Sequence, residues 1–263
     1  MSLLLQSNEN KDLVLTAFNH IDQVDYSIDS FIDSNMCKMV VDDILAPKTF
    51  MLKNGIFRTF AGNPSQKFLK KLASSFSDFA IVLPSENGWF NFINQCNSFK
   101  VEVIMRYSMN SNTLDIEYLN HIDNPSDYTI KQILLSDAKK LSIDPEFNYH
   151  FQNFKDAQDF INRGKGYIAL RKDTVVGVAS SALICDAGIE VNIMVLPSHR
   201  GKGIALALGA KLISHVIDNH QNANWDAGNK ASKALAEKLG YTMSNSYEAL
   251  RIEKCANKTK TFN

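Results

Sequence analysis

The sequence predicts an α/β (α+β) protein in two parts, and three observations support this fold class. First, 45% of the 263 residues are hydrophobic and 21% are charged, as in a globular chain with a substantial core. Second, apolar residues recur at both strand and helix spacing along the whole chain. Third, the polar segment NHIDNPSDY, residues 120–128, separates two stretches that both contain such periodic elements.

The first half is predicted to mix helices and strands. Apolar side chains occur at helix spacing over residues 28–45. Asn63 followed by Pro64 is typical of a helix start, and that helix is expected to continue to Phe76. No pattern in this half points to a particular chemistry. The remaining expected elements are strands at 78–84 and 99–109 and a helix at 86–96.

The second half shows a clearer alternation of strands and helices. A long helix is predicted for residues 203–219, directly after a glycine-rich turn. A second helix, 230–240, ends with Gly240, a residue type favoured just after a helix. The other expected elements are strands at 128–133, 166–172, 174–184, 188–196, 222–227 and 248–252, and helical pieces at 137–141 and 153–164.

Composition and charge exclude several classes of function. The formal net charge is zero, whereas proteins that bind long nucleic acids usually carry a basic excess. The four cysteines are scattered and the histidines form no paired metal-binding motif, so we expect free thiols and no metal. The N-terminus lacks the features of a signal peptide, and no stretch is long and apolar enough to span a bilayer. We therefore expect a cytoplasmic protein without nucleic-acid or membrane partners; a homodimer is compatible with these features.

The segment VLPSHRGKGIA, residues 195–205, is a candidate anion site. It joins a strand to a helix, where backbone N–H groups and the helix dipole both favour negative charge. Gly201 and Gly203 allow close approach to the backbone, and Arg200 and Lys202 add positive charge. The spacing fits neither a nucleoside-triphosphatase P-loop nor a dinucleotide fingerprint. Taken alone, the loop is equally compatible with a simple glycine turn that begins a helix.

Three motifs together resemble the GNAT superfamily of acyl-CoA N-acyltransferases. RGKGIA, residues 200–205, fits the pattern [Q/R]-x-x-G-x-[G/A], and MVLP, residues 194–197, resembles the preceding xVxP step. NKASKALAEKLGY, residues 229–241, resembles the pattern N-x-x-[AS]-x-x-L-x-x-K-x-G-[FY]. The resemblance covers residues 127–254. It implies a mixed, mostly antiparallel sheet flanked by helices in this region. Residues 1–126 lie outside the resemblance and are expected to form a smaller α/β domain of unknown role, and residues 255–263 a basic tail.

The resemblance also implies acetyl-CoA as co-substrate and a set of residues that bind it. The backbone of the loop would hold the diphosphate, and the end of the preceding strand would pair with the pantetheine arm. A polar group at the start of the later helix would hydrogen-bond that arm. The implied residues are Met194, Val195, Leu196, Arg200, Gly201, Lys202, Gly203, Ile204, Ala205, Asn229 and Ser232.

Catalytic candidates follow from strand period and from the resemblance. Alternation places Glu190, Asn192 and Met194 on one face of the strand, opposite its apolar face. Glu190 is the candidate general base, with an ion-paired or solvent-facing carboxylate as the alternative. Many members of the superfamily have a tyrosine where this chain has Ala236. Tyr241 is therefore the candidate proton donor, although that position is often part of a core, and Tyr247 is an alternative.

Two hypotheses remain after these steps. The first is an N-acetyltransferase that moves an acetyl group from acetyl-CoA to a primary amine by direct attack in a ternary complex. The resemblance extends to a bacterial branch with an N-terminal extension and antibiotic-modifying members, which favours a small-molecule acceptor. The second hypothesis is a non-catalytic acyl-CoA-binding module, which the missing tyrosine slightly favours.

Overall fold

The computed structural model describes residues 3–5, 7–76, 78–85 and 88–255. Twelve strands are present in this part of the chain: β1 Leu3–Leu5, β2 Lys38–Val41, β3 Thr49–Asn54, β4 Phe57–Gly62, β5 Phe79–Val82, β6 Phe99–Asn110, β7 Thr129–Gln132, β8 Gly166–Arg171, β9 Thr174–Cys185, β10 Gly188–Val195, β11 Asn222–Ala227 and β12 Thr242–Lys254. The helices are α1 Ser7–Phe18, α2 Ser27–Ser34, α3 Gln66–Ala73, α4 Trp89–Asn94, α5 Ile116–Asn120, α6 Leu135–Leu141, α7 Ala157–Arg163, α8 Ile204–Asp218 and α9 Lys230–Lys238. Short 3-10 helices occur at Ser111–Thr113, Asn148–His150 and Pro197–His199.

The chain forms two compact units, and each unit is built from segments that are not contiguous in sequence. Unit 1 consists of the described residues within 1–23, 38–105 and 248–263. Unit 2 consists of residues 24–37 and 106–247. The sequence predicted a linear division at 126/127. The structure instead places residues 24–37 and 106–126 with unit 2, because packing groups segments that are distant in sequence.

Unit 1 is built on a sheet with the strand order β1-β2-β3-β4-β5-β12, in which only β4 and β5 are parallel. Its core includes a pair of stacked aromatic rings, Phe60 and Trp89, with ring centroids 4.4 Å apart. The Trp89 indole N–H donates to the Gly62 carbonyl oxygen at 2.8 Å, so the buried ring has no unmet polar group. The buried guanidinium of Arg58 donates to the carbonyl oxygens of Gly55, Phe57 and Ser75.

Two sequence predictions for the first half were wrong in part. The helix expected at 28–45 ends at Ser34, because Asn35 adopts a left-handed conformation (φ 54°), and Lys38–Val41 forms a strand. Met36, Met39 and Val40 have helix spacing, but residues 39–41 also form a continuous apolar run typical of a short buried strand, which explains the error. The next helix is capped by Ser65, whose hydroxyl accepts the Phe68 N–H at 3.1 Å, and not by Asn63.

Unit 2 contains a sheet with the strand order β6-β11-β10-β9-β8-β7. β10 and β11 are parallel and the other described pairs are antiparallel, so the expectation of a mostly antiparallel sheet is confirmed. α8 packs on one face, where a Cβ at Gly177 would lie 3.1 Å from Leu208. α7 packs on the other face, where a Cβ at Gly166 would lie 2.9 Å from Phe160. These close approaches favour glycine at both positions and allow the two helices to pack closely on the strands.

The predicted elements of the second half agree well with the structure. The strand expected at 222–227 is β11, residue for residue, and the helix expected at 203–219 is α8, Ile204–Asp218. Gly240 follows α9 with φ 101°, as expected of a residue that ends a helix. None of the helices in the described ranges has the length and apolar character needed to cross a bilayer.

Candidate active site

The two central strands of unit 2 separate partway along their length. β10 and β11 pair only at Gly188–Glu190 with Asn222–Asn224. Beyond this point β10 pairs with β9 alone, and β11 pairs with β6 through Trp225–Ala227. No described strand therefore covers the free side of β10 from Val191 to Val195. We call this opening the split.

The backbone of β10 presents hydrogen-bonding groups to the split. The Leu196 N–H donates to the Val176 carbonyl oxygen at 2.9 Å, so this residue faces β9. Because backbone groups alternate in direction along a strand, those of Val191, Ile193 and Val195 face the split. An unpaired strand edge of this kind can bind an extended ligand through main-chain hydrogen bonds.

A β-bulge lies at the point where the strands separate. The β9–β10 register shifts between Glu190 and Val191, so Ala182 of β9 is the extra residue. The carbonyl oxygen of Ala182 accepts a hydrogen bond from the Asn153 side-chain amide at 2.9 Å, which satisfies the group that the bulge displaces. Bulges increase local twist, and this one lies at the residue where β10 loses its pairing with β11.

The glycine loop lies at the end of β10 and is open to solvent. Gly201 and Gly203 have φ values of 75° and 79°, which side chains rarely adopt, and Gly203 begins α8. A Cβ at Gly201 would have no neighbour within 4 Å, and one at Gly203 would meet only Pro125, at 3.6 Å. The N-terminus of a 15-residue helix therefore faces open space, which suits an anion such as a diphosphate.

The two cations of the loop already contact the backbone nearby. The Arg200 Nε donates to the Val195 carbonyl oxygen at 3.0 Å, on the edge that faces the split. The Lys202 Nζ donates to the Ser198 carbonyl oxygen at 3.3 Å. Both side chains therefore lie at the mouth of the split, next to the exposed residues 200–203.

The polar residues predicted at the start of α9 have structural roles. Asn229 caps α9 by accepting the Ser232 N–H at 2.9 Å. The Ser232 hydroxyl accepts the indole N–H of Trp225 at 3.1 Å. Ala236 is fully buried, at the position where a tyrosine is common. The predicted contacts of Asn229 and Ser232 with a pantetheine arm remain predictions.

Glu190 lies at the base of the split and accepts three hydrogen bonds. Its Oε2 accepts from the Asn224 side-chain amide at 2.7 Å and from the Tyr26 N–H at 3.4 Å. Its Oε1 accepts the Asp226 N–H at 3.2 Å. Burial, with the neighbouring charges of Asp25 and Asp226, raises the pKa of Glu190 well above its usual value.

The hydrogen bond from the Asp226 N–H to the Glu190 carboxyl group lies where the pairing of β10 with β11 ends. The Asn222 N–H donates to the main-chain oxygen of Ala187 at 2.9 Å, so every second N–H of β11 faces β10. The Asp226 N–H belongs to this series but donates to the Glu190 carboxyl group instead. The side chain thus takes the place of a main-chain acceptor and occupies the base of the split.

Asp226 forms a buried ion pair beside Glu190. The Arg106 Nη2 lies 2.7 Å from the Asp226 Oδ2, and the two side chains are only 7% and 4% exposed. The Tyr247 hydroxyl donates to the Asp226 Oδ1 at 2.7 Å, and the Arg106 Nε donates to the Tyr247 oxygen at 3.2 Å. Burial and the Asp226 charge raise the pKa of Tyr247, so its proton is firmly held.

Asp25 is the third carboxyl group near the split. Its two oxygens accept the Ser27 N–H at 3.0 Å and the Ser27 hydroxyl at 2.7 Å. Burial raises the pKa of Asp25 to about 6, and the charge of Asp226 acts in the same direction. No three His, Cys, Asp or Glu side chains in the described ranges are grouped so that they could hold a metal ion.

The other two catalytic candidates lie in different surroundings. Asn192 is half-buried on β10 opposite Ser180, whose hydroxyl lies 2.7 Å from the His150 Nδ1. Burial lowers the pKa of His150 to about 3, so its ring is neutral. Tyr241 is only 2% exposed, and its hydroxyl donates to the Ala223 carbonyl oxygen at 2.8 Å. We therefore withdraw Tyr241 as a proton donor and assign it to the core.

Sequence reasoning missed three residues of this site, namely Asp25, Arg106 and Asn224. Arg106 and Asp226 are 120 positions apart, and Tyr26 and Glu190 are 164 positions apart. No short motif links such residues. The one available signal was the presence of charged residues inside otherwise apolar segments, as at Arg106 within the strand 99–109.

Known proteins resemble this chain in sequence and in fold. A sequence model of the GNAT acetyltransferase family matches residues 17–250. YdfB, an uncharacterized N-acetyltransferase from Bacillus subtilis, is 28% identical over 127 residues. Those residues are 47% of this chain and 48% of the relative, so the match spans about half the length of the curated protein.

Two solved structures share the fold. The GCN5-related N-acetyltransferase-like protein from Streptococcus suis 89/1591 is 26% identical, with a TM-score of 0.81 over 93% of this chain and 99% of that one. The tandem GNAT protein from the clavulanic acid biosynthesis pathway, solved without AcCoA, is 12% identical, with a TM-score of 0.55 over 97% of this chain and 99% of that one. The second likeness concerns the fold alone.

Proposed function

Because the chain belongs to the GNAT acetyltransferase family, we propose that it transfers an acetyl group from acetyl-CoA to a primary amine of a small molecule. The observation that carries the proposal is the split itself. It combines an unpaired strand edge, a glycine-rich helix N-terminus at its mouth and buried carboxyl groups at its base. An extended phosphorylated thioester and an amine each match one part of this arrangement.

The residues around the split fit acetyl-CoA in two places. The N–H groups of residues 200–205 would hold the diphosphate, with Arg200 and Lys202 supplying positive charge. The main-chain groups of Ile193 and Val195 would pair with the pantetheine arm as an added strand does. A favourable charge at a helix N-terminus contributes about 0.3–1 kcal/mol, so several such contacts are needed for useful affinity.

Acetyl-CoA would supply a thioester carbonyl that a neutral amine can attack. The N–H of Val191, which faces the split at the bulge, is a donor for the negative charge that develops on the carbonyl oxygen. Carboxyl groups at the base of the split would take the proton of the amine. Glu190 and the Asp226 side chain are less than a tenth exposed, so these carboxyl groups lie away from bulk water.

The first test is thiol release from acetyl-CoA with a panel of primary amines, with mass spectrometry of the acetylated product. We expect release that depends on the amine. Binding of CoA should raise the unfolding free energy by about 2.7 kcal/mol at a ligand concentration of 100 Kd. Binding without release for any amine would support the acyl-CoA-binding module instead.

Gly203→Asp and Gly203→Asn form a matched pair for the diphosphate site. Both place a side chain of similar size at the same left-handed position, where φ is 79°. Asparagine is among the side chains that tolerate this conformation best. Only the aspartate adds negative charge next to the proposed diphosphate. We expect CoA-induced stabilisation to fall much further in Gly203→Asp, and equal losses in the two variants would contradict an anion site.

A further inference from the structure

The residues on both sides of Asp25 contact the last rung of the β10–β11 pairing. The Val24 carbonyl oxygen accepts from the Asn224 side-chain amide at 3.4 Å. The Tyr26 N–H donates to the Glu190 Oε2 at 3.4 Å. Asn224 and Glu190 are the paired residues at which the strands separate. Asp25 is therefore held over the base of the split by its two chain neighbours.

The three carboxyl groups at the base of the split differ in the hydrogen-bond donors from which their oxygens accept. Glu190 is 8% exposed and accepts three N–H groups. Asp226 is held by Arg106 and by the Tyr247 hydroxyl. Asp25 accepts only from Ser27 among the described hydrogen bonds. Asp25 therefore has the most capacity left to accept a hydrogen bond from a ligand at the base of the split.

We propose that Asp25 is the catalytic residue that binds the acceptor as a primary ammonium ion and takes its proton. The inference rests on the proposed function and names the residue that receives the proposed amine. Glu190, which was the sequence-based candidate for this role, becomes a positioning residue that fixes Asp25 through Tyr26 and keeps the two strands apart.

The charges that face Asp25 support an ammonium ligand. Glu190 on β10 and Asp226 on β11 are acidic, and Arg106 on β6 is the one cation among the described groups that act on Asp25. The Cys37 thiol lies nearby and burial keeps it protonated by raising its pKa. One cation thus faces three carboxyl groups, and a bound ammonium ion would offset the excess. A carboxyl group that titrates near pH 6 is well matched to accept a proton at neutral pH.

The proton balance of the step is simple. The ammonium ion gives one proton to Asp25, and the neutral nitrogen forms a C–N bond to the acetyl carbon. The C–S bond breaks, and its electron pair leaves with the CoA sulfur. A second proton moves from nitrogen to the sulfur, giving the amide and the free thiol. Asp25 then releases the first proton to solvent, so the net products are amide, CoA thiol and one proton.

The test compares Asp25→Asn with the wild-type chain and with Asp29→Asn as a matched control. Asp29 is an acidic residue in the first turn of α2, in the same segment. The readout is the pH profile of kcat/KM for a primary amine that the wild type acetylates. The wild type should lose activity below about pH 6. Asp25→Asn should lower kcat/KM by about 10²–10³-fold, abolish that acidic limb and leave the KM for acetyl-CoA unchanged. Asp29→Asn should behave as the wild type does.

A second variant acts on Asp25 without removing it. Ser27→Ala deletes a hydroxyl that donates to the Asp25 Oδ2 at 2.7 Å and stabilises the ionised form. The pKa of Asp25 should rise, so the acidic limb should move to higher pH while activity at high pH is kept. The pH profile of Ser27→Ala tests the role of Asp25 even if Asp25→Asn does not fold.

The outcomes separate this inference from the proposed function. A wild type that acetylates amines, together with an Asp25→Asn variant of full activity and unchanged pH profile, would overturn the role of Asp25 and leave the function intact. If the acidic limb of the kcat/KM profile did not move in Ser27→Ala, the role of Asp25 would likewise be overturned and the function left intact. A wild type that binds CoA but acetylates no amine would overturn both.

Discussion

Replacing Arg106 by methionine should destabilise unit 2 strongly, because Arg106 is the cation buried among its carboxyl groups. The guanidinium donates to the Asp226 carboxylate at 2.7 and 3.0 Å and to the Tyr247 hydroxyl at 3.2 Å. Methionine fills similar volume but offers no donor. The variant therefore leaves the Asp226 carboxylate buried without a cation, next to the carboxyl group of Glu190.

The size of the effect follows from the geometry. Two unit charges 2.7 Å apart attract by about 6 kcal/mol at an effective dielectric constant of about 20. Part of this attraction only offsets the desolvation of the two ions. Removing one partner of a buried pair nevertheless costs about 3–5 kcal/mol, because the other charge stays buried. We expect a loss in this range, which corresponds to a Tm decrease of about 6–20 °C.

The assay is urea unfolding at pH 8, with the free energy of unfolding in water and the m-value measured for the variant and the wild type. We expect the free energy of unfolding to fall while the m-value stays unchanged, because the variant alters the stability of the fold and not the surface that unfolding exposes.

Arg163→Met is the matched control for this experiment. Arg163 pairs with Asp159 at 2.7 Å as well, but the two side chains are 37% and 21% exposed. A pair of this kind contributes less than about 1 kcal/mol. The reasoning would be refuted if the two variants lost equal stability.

Three further predictions concern stability and local structure. Tyr241→Phe removes the buried bond to the Ala223 carbonyl oxygen and should cost about 1–3 kcal/mol with kcat unchanged; a large fall in kcat would restore Tyr241 as a catalytic candidate. Ser65→Ala should lower the free energy of unfolding, measured with urea, by about 1 kcal/mol, and Asn63→Ala should lower it by less. The reverse order would place the helix cap at Asn63. Arg58→Met leaves buried carbonyl oxygens without their guanidinium donor and should lower the free energy of unfolding by at least about 2 kcal/mol. No change in stability would mean that water donates to these oxygens instead.

The parts of the fold that were predicted correctly are those with strong local signals. The strand at 222–227 and the helix at 204–218 are bounded by turn residues and have a single clear period. The prediction of a helix at 28–45 was wrong because its apolar residues are compatible with a helix and with a strand. The left-handed conformation of Asn35 ends the helix at Ser34. The division into units could not be predicted either. It depends on residues 24–37 packing with a sheet that is formed much later in the chain.

The same distinction applies to the candidate site. The glycine loop was found because its residues are contiguous, and the structure gives it the conformation that its two glycines require. Glu190 was found because strand period places it next to Asn192 and Met194. Asp25 was missed because its place depends on contacts with residues 164 and 200 positions away, made by its neighbours and not by itself.

The distribution of hydrogen bonds at the base of the split explains why three carboxyl groups can coexist there. Glu190 replaces a main-chain acceptor, so its presence costs the sheet one ordinary ladder bond but leaves no donor of Asp226 unmet. Burial and the neighbouring charges raise the pKa of Glu190 and so favour its neutral form. Arg106 pairs with Asp226. The described hydrogen-bond partners of Asp25 include no cation, and the ammonium ion of the proposed acceptor would supply one.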